Sequence, residues 1–168
     1  MENMKKNIYA LIVLVVALTA DMLSKTLIVK HFGYFDRVDF LDGFFRITLV
    51  YNEGGVFGIF QGYKTMFLVI SGIVLVLMVL YYIYEKNKSL IFCIAMALVA
   101  SGAIGNIIDR LMPQRPGVVD FISIGIDGVY RWPTFNIADM CIVVGAALLI
   151  IVLYKEEKKR KLAETENV

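Results

Sequence analysis

Histidine and cysteine, which carry much enzyme chemistry, are nearly absent from this chain. Its 168 residues include one histidine, His31, and two cysteines, Cys93 and Cys141. Both cysteines lie inside apolar runs with no partner at metal-binding or CxxC spacing, which argues against a disulfide framework or a zinc site. His31 has no nucleophile motif beside it, so a Ser-His-Asp triad is not predicted. Ser24 and Lys25 are adjacent, and adjacent helical residues point to different faces, which disfavours a Ser-Lys pair.

An excess of charge of either sign is also missing. The chain has 17 Lys and Arg against 15 Asp and Glu, a net charge of +2, and this balance gives no reason to expect a nucleic-acid partner. Apolar residues make up 59% before glycine is counted, against roughly 45–50% with glycine in soluble domains. Because one soluble core of this size cannot cover so much apolar surface, the sequence predicts a membrane protein.

Four segments have the length to cross a bilayer. Two runs of twenty residues, 65–84 and 89–108, contain no acidic or basic side chain, and each can span roughly 30 Å of hydrocarbon as a helix. Two further runs of 14 and 15 residues reach that length only with a charged end included, as helices over about 8–29 and 135–154. The first of these has an alternative interpretation as a cleaved signal peptide, but residues 18–20 make a poor cleavage site.

The distribution of basic residues predicts the orientation of these helices. On one side, nine Lys or Arg occur in 25 residues; on the other, seven occur in 61. Positive-inside bias therefore places both termini in the cytoplasm. The basic side comprises residues 1–7, 85–88 and the tail 155–168, and the outer loops are 30–64 and 109–134. The tail is interpreted as an anchor near anionic membrane lipids.

The outer loops contain signals for β-structure. The run FFRITLVY at 44–51 is rich in aromatic and β-branched residues, and the turn-forming NEGG at 52–55 follows it. Asp127-Gly128 lies between two apolar segments and predicts a two-residue hairpin. The predicted fold is an all-α membrane protein, with four transmembrane helices, a small extracytoplasmic β-rich element, and a single domain over 1–168.

Four aspartates lie at or near the outer ends of the predicted helices: Asp21, Asp109, Asp120 and Asp139. An ionisable group at membrane depth costs roughly 2.5–3.5 kcal/mol on insertion scales, so each needs a partner or a function. Because histidine and cysteine chemistry is disfavoured, carboxylates remain as the candidate catalytic groups. Asp120 and Asp139 are the best pair, because the predicted hairpin between them can return the chain to the membrane surface. Taken singly, Asp139 at a helix start and Asp120 in a loop also have purely structural interpretations.

Two adjacent carboxyl groups can hydrolyse an amide without a covalent intermediate. One, ionised, takes a proton from water while the other, protonated, donates to the carbonyl or the leaving nitrogen. In a partly desolvated cleft two aspartates cannot both ionise, so they share a proton and titrate as a pair. An acid dyad at the membrane surface is therefore the predicted chemistry.

Five motifs, taken in order, resemble the lipoprotein signal peptidases, also called signal peptidase II. They are DMLSK at 21–25, NEGGVFG at 52–58, GNIIDR at 105–110, VVDF at 118–121 and FNIAD at 135–139. The resemblance runs from about residue 20 to the fourth helix. The family's first-loop motif often reads Asn-x-Gly-Ala-Ala-Phe, whereas this chain has Gly-Val at the two central positions, which affects the details of substrate contact and leaves the acids in place.

The resemblance implies a bacterial aspartyl endopeptidase of the cytoplasmic membrane, with its active site near the outer face. It would remove signal peptides from prolipoproteins by cleaving just before a diacylglyceryl-modified cysteine, and it implies no metal and no organic cofactor. By motif position Asp120 and Asp139 would be the catalytic dyad. The residues implied to support the site or contact substrate are Asn52, Gly54, Asn106, Asp109, Arg110 and Asn136.

Several of these residues have structural interpretations as well. Asp21 and Lys25 lie at i and i+4 and are predicted to form a structural ion pair. Arg110 can bind a substrate carbonyl or neutralise Asp109, or serve as an interfacial anchor. Asn106 can hold a peptide or orient an acid, and Asn136 can do the same or cap the fourth helix. The aromatic residues of the loops, among them Phe44, Phe45, Phe57, Phe60 and Trp132, form an interfacial belt by default.

Two other functions compete with the peptidase. A small proton- or cation-coupled transporter subunit would also carry intramembrane aspartates, but spread through the membrane and toward both faces. A noncatalytic adaptor would bind a partner protein through its outer loops and would tolerate asparagine at 120 and 139.

Overall fold

The computed structural model describes residues 2–55 and 60–166. Four of its helices are long and apolar enough to cross a membrane, which confirms the predicted fold class. They are α1 (Glu2–His31), α2 (Lys64–Tyr84), α3 (Leu90–Leu111) and α4 (Ile137–Glu166). The first and last helices, α1 and α4, are longer than the apolar runs predict. Thus α4 continues through most of the tail at 155–168, where i,i+4 ion pairs such as Glu157 with Lys161, 2.7 Å apart, support helical turns in water.

Small residues bring α3 close to its neighbours. A Cβ atom on Gly102 would lie 2.3 Å from the carbonyl oxygen of Ala138 in α4, and one on Gly105 would lie 2.4 Å from Asp21 Oδ2 in α1. Only glycine allows these approaches, and close backbone contact is how helices associate where lipid offers no hydrophobic driving force. Helix α3 therefore packs against α1 and α4 at the level of the aspartates.

Helix α2 has a different environment, since none of its residues is buried. It contacts α3 through aromatic rings: Phe92 lies 5.6 Å from Tyr81 and 6.1 Å from Tyr82, measured between ring centroids. Most of its apolar side chains are exposed, as expected for a surface that faces lipid.

Both loops on the side opposite the termini contribute to one antiparallel sheet. Its strands are β1 (Arg37–Phe40), β2 (Phe45–Asn52), β3 (Val118–Ile126) and β4 (Tyr130–Arg131), in that order. The predicted two-residue hairpin is wrong in length: Ile126 pairs with Tyr130, so three residues, 127–129, form the connection. Val129 N–H donates to the Ile126 carbonyl oxygen at 3.1 Å, and Gly128 adopts φ +79° as the third residue of this turn, a position where a positive φ favours glycine.

The sheet is fixed to the ends of the helices by a small core. Leu49 of β2 and Val119 and Phe121 of β3 are buried against apolar residues at the end of α1 and the start of α4, including Ile28 and Ile137. Burying such side chains contributes roughly 1.5–3 kcal/mol each. This core holds β3, and with it Asp120, over the helix ends.

Arg46 of β2 joins the two loops at the far edge of the sheet. Its guanidinium donates to Asp39 of β1 at 2.5 Å and to Asp127 of the β3–β4 turn at 2.7 Å. These hydrogen bonds hold the pKa of both carboxyl groups below the usual value. The network ties the tip of the second loop to the first.

Candidate active site

Asp120 lies in β3 with its side chain 2% exposed. Its Oδ1 accepts a hydrogen bond of 2.7 Å from the side-chain amide of Asn136, and its Oδ2 accepts one of 3.1 Å from that of Asn52. The register of the sheet creates the second contact, because Val50 pairs with Asp120 and Asn52 pairs with Val118. Two amide donors thus hold the carboxyl group in one orientation.

Asp139 lies in the first turn of α4. Its Oδ1 accepts a hydrogen bond of 2.8 Å from the side-chain amide of Asn106 in α3, and its Oδ2 accepts one of 3.2 Å from the backbone N–H of Asn136. In return, the backbone N–H of Asp139 donates to Asn136 Oδ1 at 2.8 Å. This reciprocal arrangement caps the start of α4 and orients the Asp139 carboxyl group.

Asn136 connects the two acids. Its side-chain nitrogen donates to Asp120 while its backbone nitrogen donates to Asp139, so residues from β3 and α4 meet at one asparagine. Burial, and next the negative charge of Asp139, raise the pKa of Asp120 to about 8. An aspartic acid with such a pKa holds its proton at neutral pH.

A cluster of buried charges lies behind this pair. Lys25 Nζ is 2.8 Å from Asp21 Oδ2 and 2.9 Å from Asp109 Oδ2. The sequence predicts only the pair with Asp21, whereas the structure shows that Lys25 pairs with Asp109 as well. Asp109 also pairs with Arg115 and accepts the backbone N–H of Val119 at 3.1 Å. The cluster fixes the start of β3, one residue before Asp120, relative to α1 and α3.

Arg110 does not neutralise Asp109, one of the two electrostatic roles considered for it, since Lys25 and Arg115 occupy that acid. Instead its guanidinium donates to the carbonyl oxygens of Gly54, at 3.0 Å, and Asn106, at 3.3 Å. Its Nε is buried and has no hydrogen-bond partner among residues 2–55 and 60–166. Arg110 therefore joins the first loop to α3, and its Nε–H group can donate to a further acceptor.

Two contributors were not found by sequence reasoning. Arg115 was not singled out, although a basic residue six positions after Asp109 in a short loop was the available signal. Gln61 accepts the backbone N–H of Glu53 at 3.1 Å and donates to Asn52 Oδ1 at 3.3 Å. The last three residues of the 52–58 motif, including Phe57, lie outside the described residues.

The assembled groups suit hydrolysis by carboxyl groups. His31 lies exposed at the end of α1, with Nδ1 2.8 Å from the Leu27 carbonyl oxygen, and Ser24 Oγ donates to the Asp21 carbonyl oxygen. Neither is placed as a nucleophile. Within residues 2–55 and 60–166 no group of three His, Cys, Asp or Glu side chains could hold a metal ion.

The chain matches one protein family over most of its length. The family model described as signal peptidase (SPase) II matches residues 12–155. The chain is 40% identical over 154 residues to the lipoprotein signal peptidase of Bacillus pumilus, which covers 92% of this chain and 97% of that protein. It is 36% identical over 154 residues to the one of Halalkalibacterium halodurans, covering 92% and 96%.

The fold is also found among solved structures. A bacterial membrane enzyme matches with a TM-score of 0.81 and 32% identity, covering 90% of each chain. A second bacterial membrane enzyme matches with a TM-score of 0.75 and 33% identity, covering 86% of this chain and 92% of that one. The chain therefore belongs to the signal peptidase II family, the multi-pass membrane aspartic peptidases that cleave the signal peptides of lipoproteins.

Proposed function

We propose that Asp120 and Asp139 are the catalytic dyad, and that the bond cleaved is the one just before a diacylglyceryl-modified cysteine. The observation that carries the proposal is the meeting of two carboxyl groups at Asn136, one of them buried with its pKa raised to about 8. A protonated acid beside an ionised one is what uncatalysed amide hydrolysis lacks.

The reaction follows from these charge states. Asp139, ionised, takes a proton from a water molecule as the water oxygen bonds to the scissile carbonyl carbon, while Asp120 donates its proton to the carbonyl oxygen. The resulting diol then collapses: a hydroxyl proton returns to Asp120, the C–N bond breaks, and the nitrogen leaves with the proton held by Asp139. One water is consumed, and the dyad returns to its starting state.

The remaining site residues orient the acids and the substrate. Asn52, Asn106 and Asn136 hold the two carboxyl groups by hydrogen bonds. Arg110 has a free buried donor and lies beside Gly54, so we assign both to the substrate backbone. A guanidinium suits this role because it stays charged and presents several donors in a fixed plane.

The substrate enters from the membrane in this proposal. A signal peptide is an apolar helix, and the acids lie where the helices meet the sheet, a level that water reaches. The basic residues at the opposite ends of the helices support a cytoplasmic location for both termini and an outer location for the active site. Membrane lipid surrounds the diacylglyceryl chains, and no nucleic acid takes part.

The transporter alternative receives less support from the geometry. The four aspartates gather at one end of the helix bundle, and the two outside the dyad are neutralised by Lys25 and Arg115. A proton or cation pathway needs polar groups through the membrane depth.

A reconstituted cleavage assay tests the proposal. The protein in lipid nanodiscs receives one prolipoprotein in two forms, with and without diacylglyceryl on the cysteine. We expect only the modified form to be shortened, and mass spectrometry to show the lipid-bearing cysteine as the new first residue. Equal cleavage of both forms, or cleavage at another bond, would contradict the assignment of substrate and site.

The pH dependence of kcat/KM should show the state of Asp120. Activity requires this acid to be protonated, so we expect activity to fall as the pH rises through about 8. The same shift affects folding: the folded chain holds this proton above the ordinary pKa of 3.8, so the associated stabilisation is present at low pH and is lost between about 3.8 and about 8.

The variant Asn52→Leu provides a comparison. Its side chain no longer donates to Asp120, a hydrogen bond that favours the ionised form, so the fall in activity should move to higher pH. A fall that stays in place, or moves down, would argue against Asp120 as the acid.

A further inference from the structure

The side-chain amide of Asn106 has three polar neighbours that determine its orientation. Its Oδ1 accepts hydrogen bonds from Lys25 Nζ at 3.0 Å and from Asn136 Nδ2 at 3.2 Å. Its Nδ2 donates to Asp139 Oδ1 at 2.8 Å. A flipped amide would direct its nitrogen at an ammonium and at another amide nitrogen, and its oxygen at a carboxylate. The flipped form is therefore excluded by its donor and acceptor pattern.

The ammonium group of Lys25 also has three polar neighbours that fix its position. Its ammonium nitrogen lies 2.8 Å from Asp21 Oδ2 and 2.9 Å from Asp109 Oδ2, and it donates to Asn106 Oδ1 at 3.0 Å. The side chain is fully buried, so no water competes for these donors. Of the three partners, only Asn106 also contacts a proposed catalytic acid.

Both oxygens of Asp139 consequently face N–H donors, Asn106 Nδ2 and the backbone N–H of Asn136. Donors directed at both oxygens favour the ionised carboxylate, because a protonated oxygen can accept less well. Asp120 also has a donor at each oxygen, but there burial and the negative charge of Asp139 outweigh the two hydrogen bonds. Without Lys25, the hydrogen bond from Asn136 Nδ2 alone holds the Asn106 oxygen in place. An amide that turned would present its oxygen to Asp139 and favour the protonated acid instead.

We propose that Lys25 is a positioning residue of the dyad, which acts through the Asn106 amide to keep Asp139 ionised and so leaves the shared proton on Asp120. This inference rests on the proposed function, since it needs the two acids to be the dyad. It assigns to the buried ion pair of α1 a role in setting the charge state of the active site, beyond that of joining helices.

The other charged groups around Asp139 come from every adjacent element. They are Asp21 from α1, Asp109 and Arg110 from α3, Arg115 from the loop after α3, and Asp120 from β3. Of these, Arg110 also favours ionised Asp139, by charge alone. Lys25 also acts on Asp139 by charge, and it differs from Arg110 because it has in addition a directional hydrogen bond to Asn106. A change at Asn106 that leaves the Lys25 charge in place should therefore have a consequence of the same sign as a change at Lys25.

The test compares Asp21→Asn with the double variant Asp21→Asn/Lys25→Met. The double variant removes one acid together with the cation, and Asp109 keeps Arg115 as its partner, so the buried charges stay balanced. We expect the acidic limb of the kcat/KM profile to lie about one to two pH units higher in the double variant than in Asp21→Asn, the shift worth one hydrogen bond to a charged group.

Asn106→Leu, which leaves both ion pairs of Lys25 in place, should show a shift of the same sign relative to the unmodified chain. Lys30→Met, an exposed position on the same helix, should leave the limb unmoved.

Superimposable profiles for the two Asp21 variants would overturn the positioning role, as would a shift at Lys25 without one at Asn106. Should a folded variant not cleave at any pH, infrared titration of the carboxyl C=O band reports the protonation of the acids without turnover, and an unmoved band is equally decisive against it. A wrong assignment of the dyad would give a different result from a wrong role for Lys25. In that case Asp139→Asn would retain cleavage, whatever the Lys25 variants show.

Discussion

Replacing Asp120 by asparagine is expected to lower kcat for prolipoprotein cleavage by about 10²- to 10⁴-fold, the usual contribution of one general acid or base. Asparagine keeps the shape of the side chain and can keep one of its two amide contacts, but it has no proton to donate to the scissile carbonyl. The variant should therefore insert and fold as before. Accumulation of uncleaved precursor in nanodiscs, measured against the amount of folded enzyme, provides the value.

Asp139→Asn is expected to cause a loss of similar size for the complementary reason, since an amide cannot take a proton from water. The double variant should be little worse than either single one, because residues that act as a unit are not additive. Asp42→Asn is the matched control: this aspartate lies exposed in the β1–β2 turn with φ +53°, a conformation that asparagine tolerates well. Full cleavage by folded Asp120→Asn would reject the proposed dyad, and loss of cleavage in Asp42→Asn would make the substitution itself suspect.

Gly102→Ala is expected to impair both stability and activity. The added Cβ atom would lie 2.3 Å from the Ala138 carbonyl oxygen, so α3 and α4 must separate by about 1 Å to restore ordinary contact. Forcing extra atoms into a packed interface costs about 1–3 kcal/mol. Ala138 directly precedes Asp139, and a displacement of about 1 Å at a reacting group can lower the rate about 10²-fold.

Gly72→Ala separates this effect from helix propensity. Gly72 lies in α2, and among residues 2–55 and 60–166 no atom beyond the adjacent backbone of its own helix lies within 4 Å of the position that a Cβ would take. Alanine favours a helix over glycine by up to about 1 kcal/mol. Thermal unfolding in detergent should therefore show a lower midpoint for Gly102→Ala and an unchanged or higher one for Gly72→Ala. Equal midpoints would mean that α3 and α4 tolerate separation, and that the glycine is not needed for their approach.

Much of the fold could be predicted from the chain because the bilayer reduces the possibilities. Runs of twenty apolar residues predict helices almost regardless of their neighbours, since backbone groups in lipid must bond within the segment. The same reasoning was less accurate outside the membrane. Asp127-Gly128 was assigned a two-residue hairpin, and the register of β3 and β4 makes it three, because pairing along the whole strand decides the length of the connection.

The limits of local patterns show at the charged residues too. Spacing along α1 predicts that Asp21 and Lys25 are close, as i,i+4 neighbours must be. The same spacing contains no indication that Lys25 also reaches Asp109 and Asn106, which lie more than 80 positions away along the chain. Arg115 was overlooked for the same reason, since its importance depends on the acid that it faces.

The sequence by itself determined that this chain spans a membrane with four helices, that its acids gather at one end of them, and that it resembles the signal peptidase II family. These properties depend on composition and on the order of short motifs. Only the tertiary structure decided that both outer loops share one sheet and that Asn136 contacts both acids of the dyad. It also decided that Lys25 forms ion pairs with two further acids, Asp21 and Asp109. The reason is that hydrogen bonds and ion pairs act over about 3 Å, and which groups come within that distance depends on how α1, α3, α4 and β3 pack together.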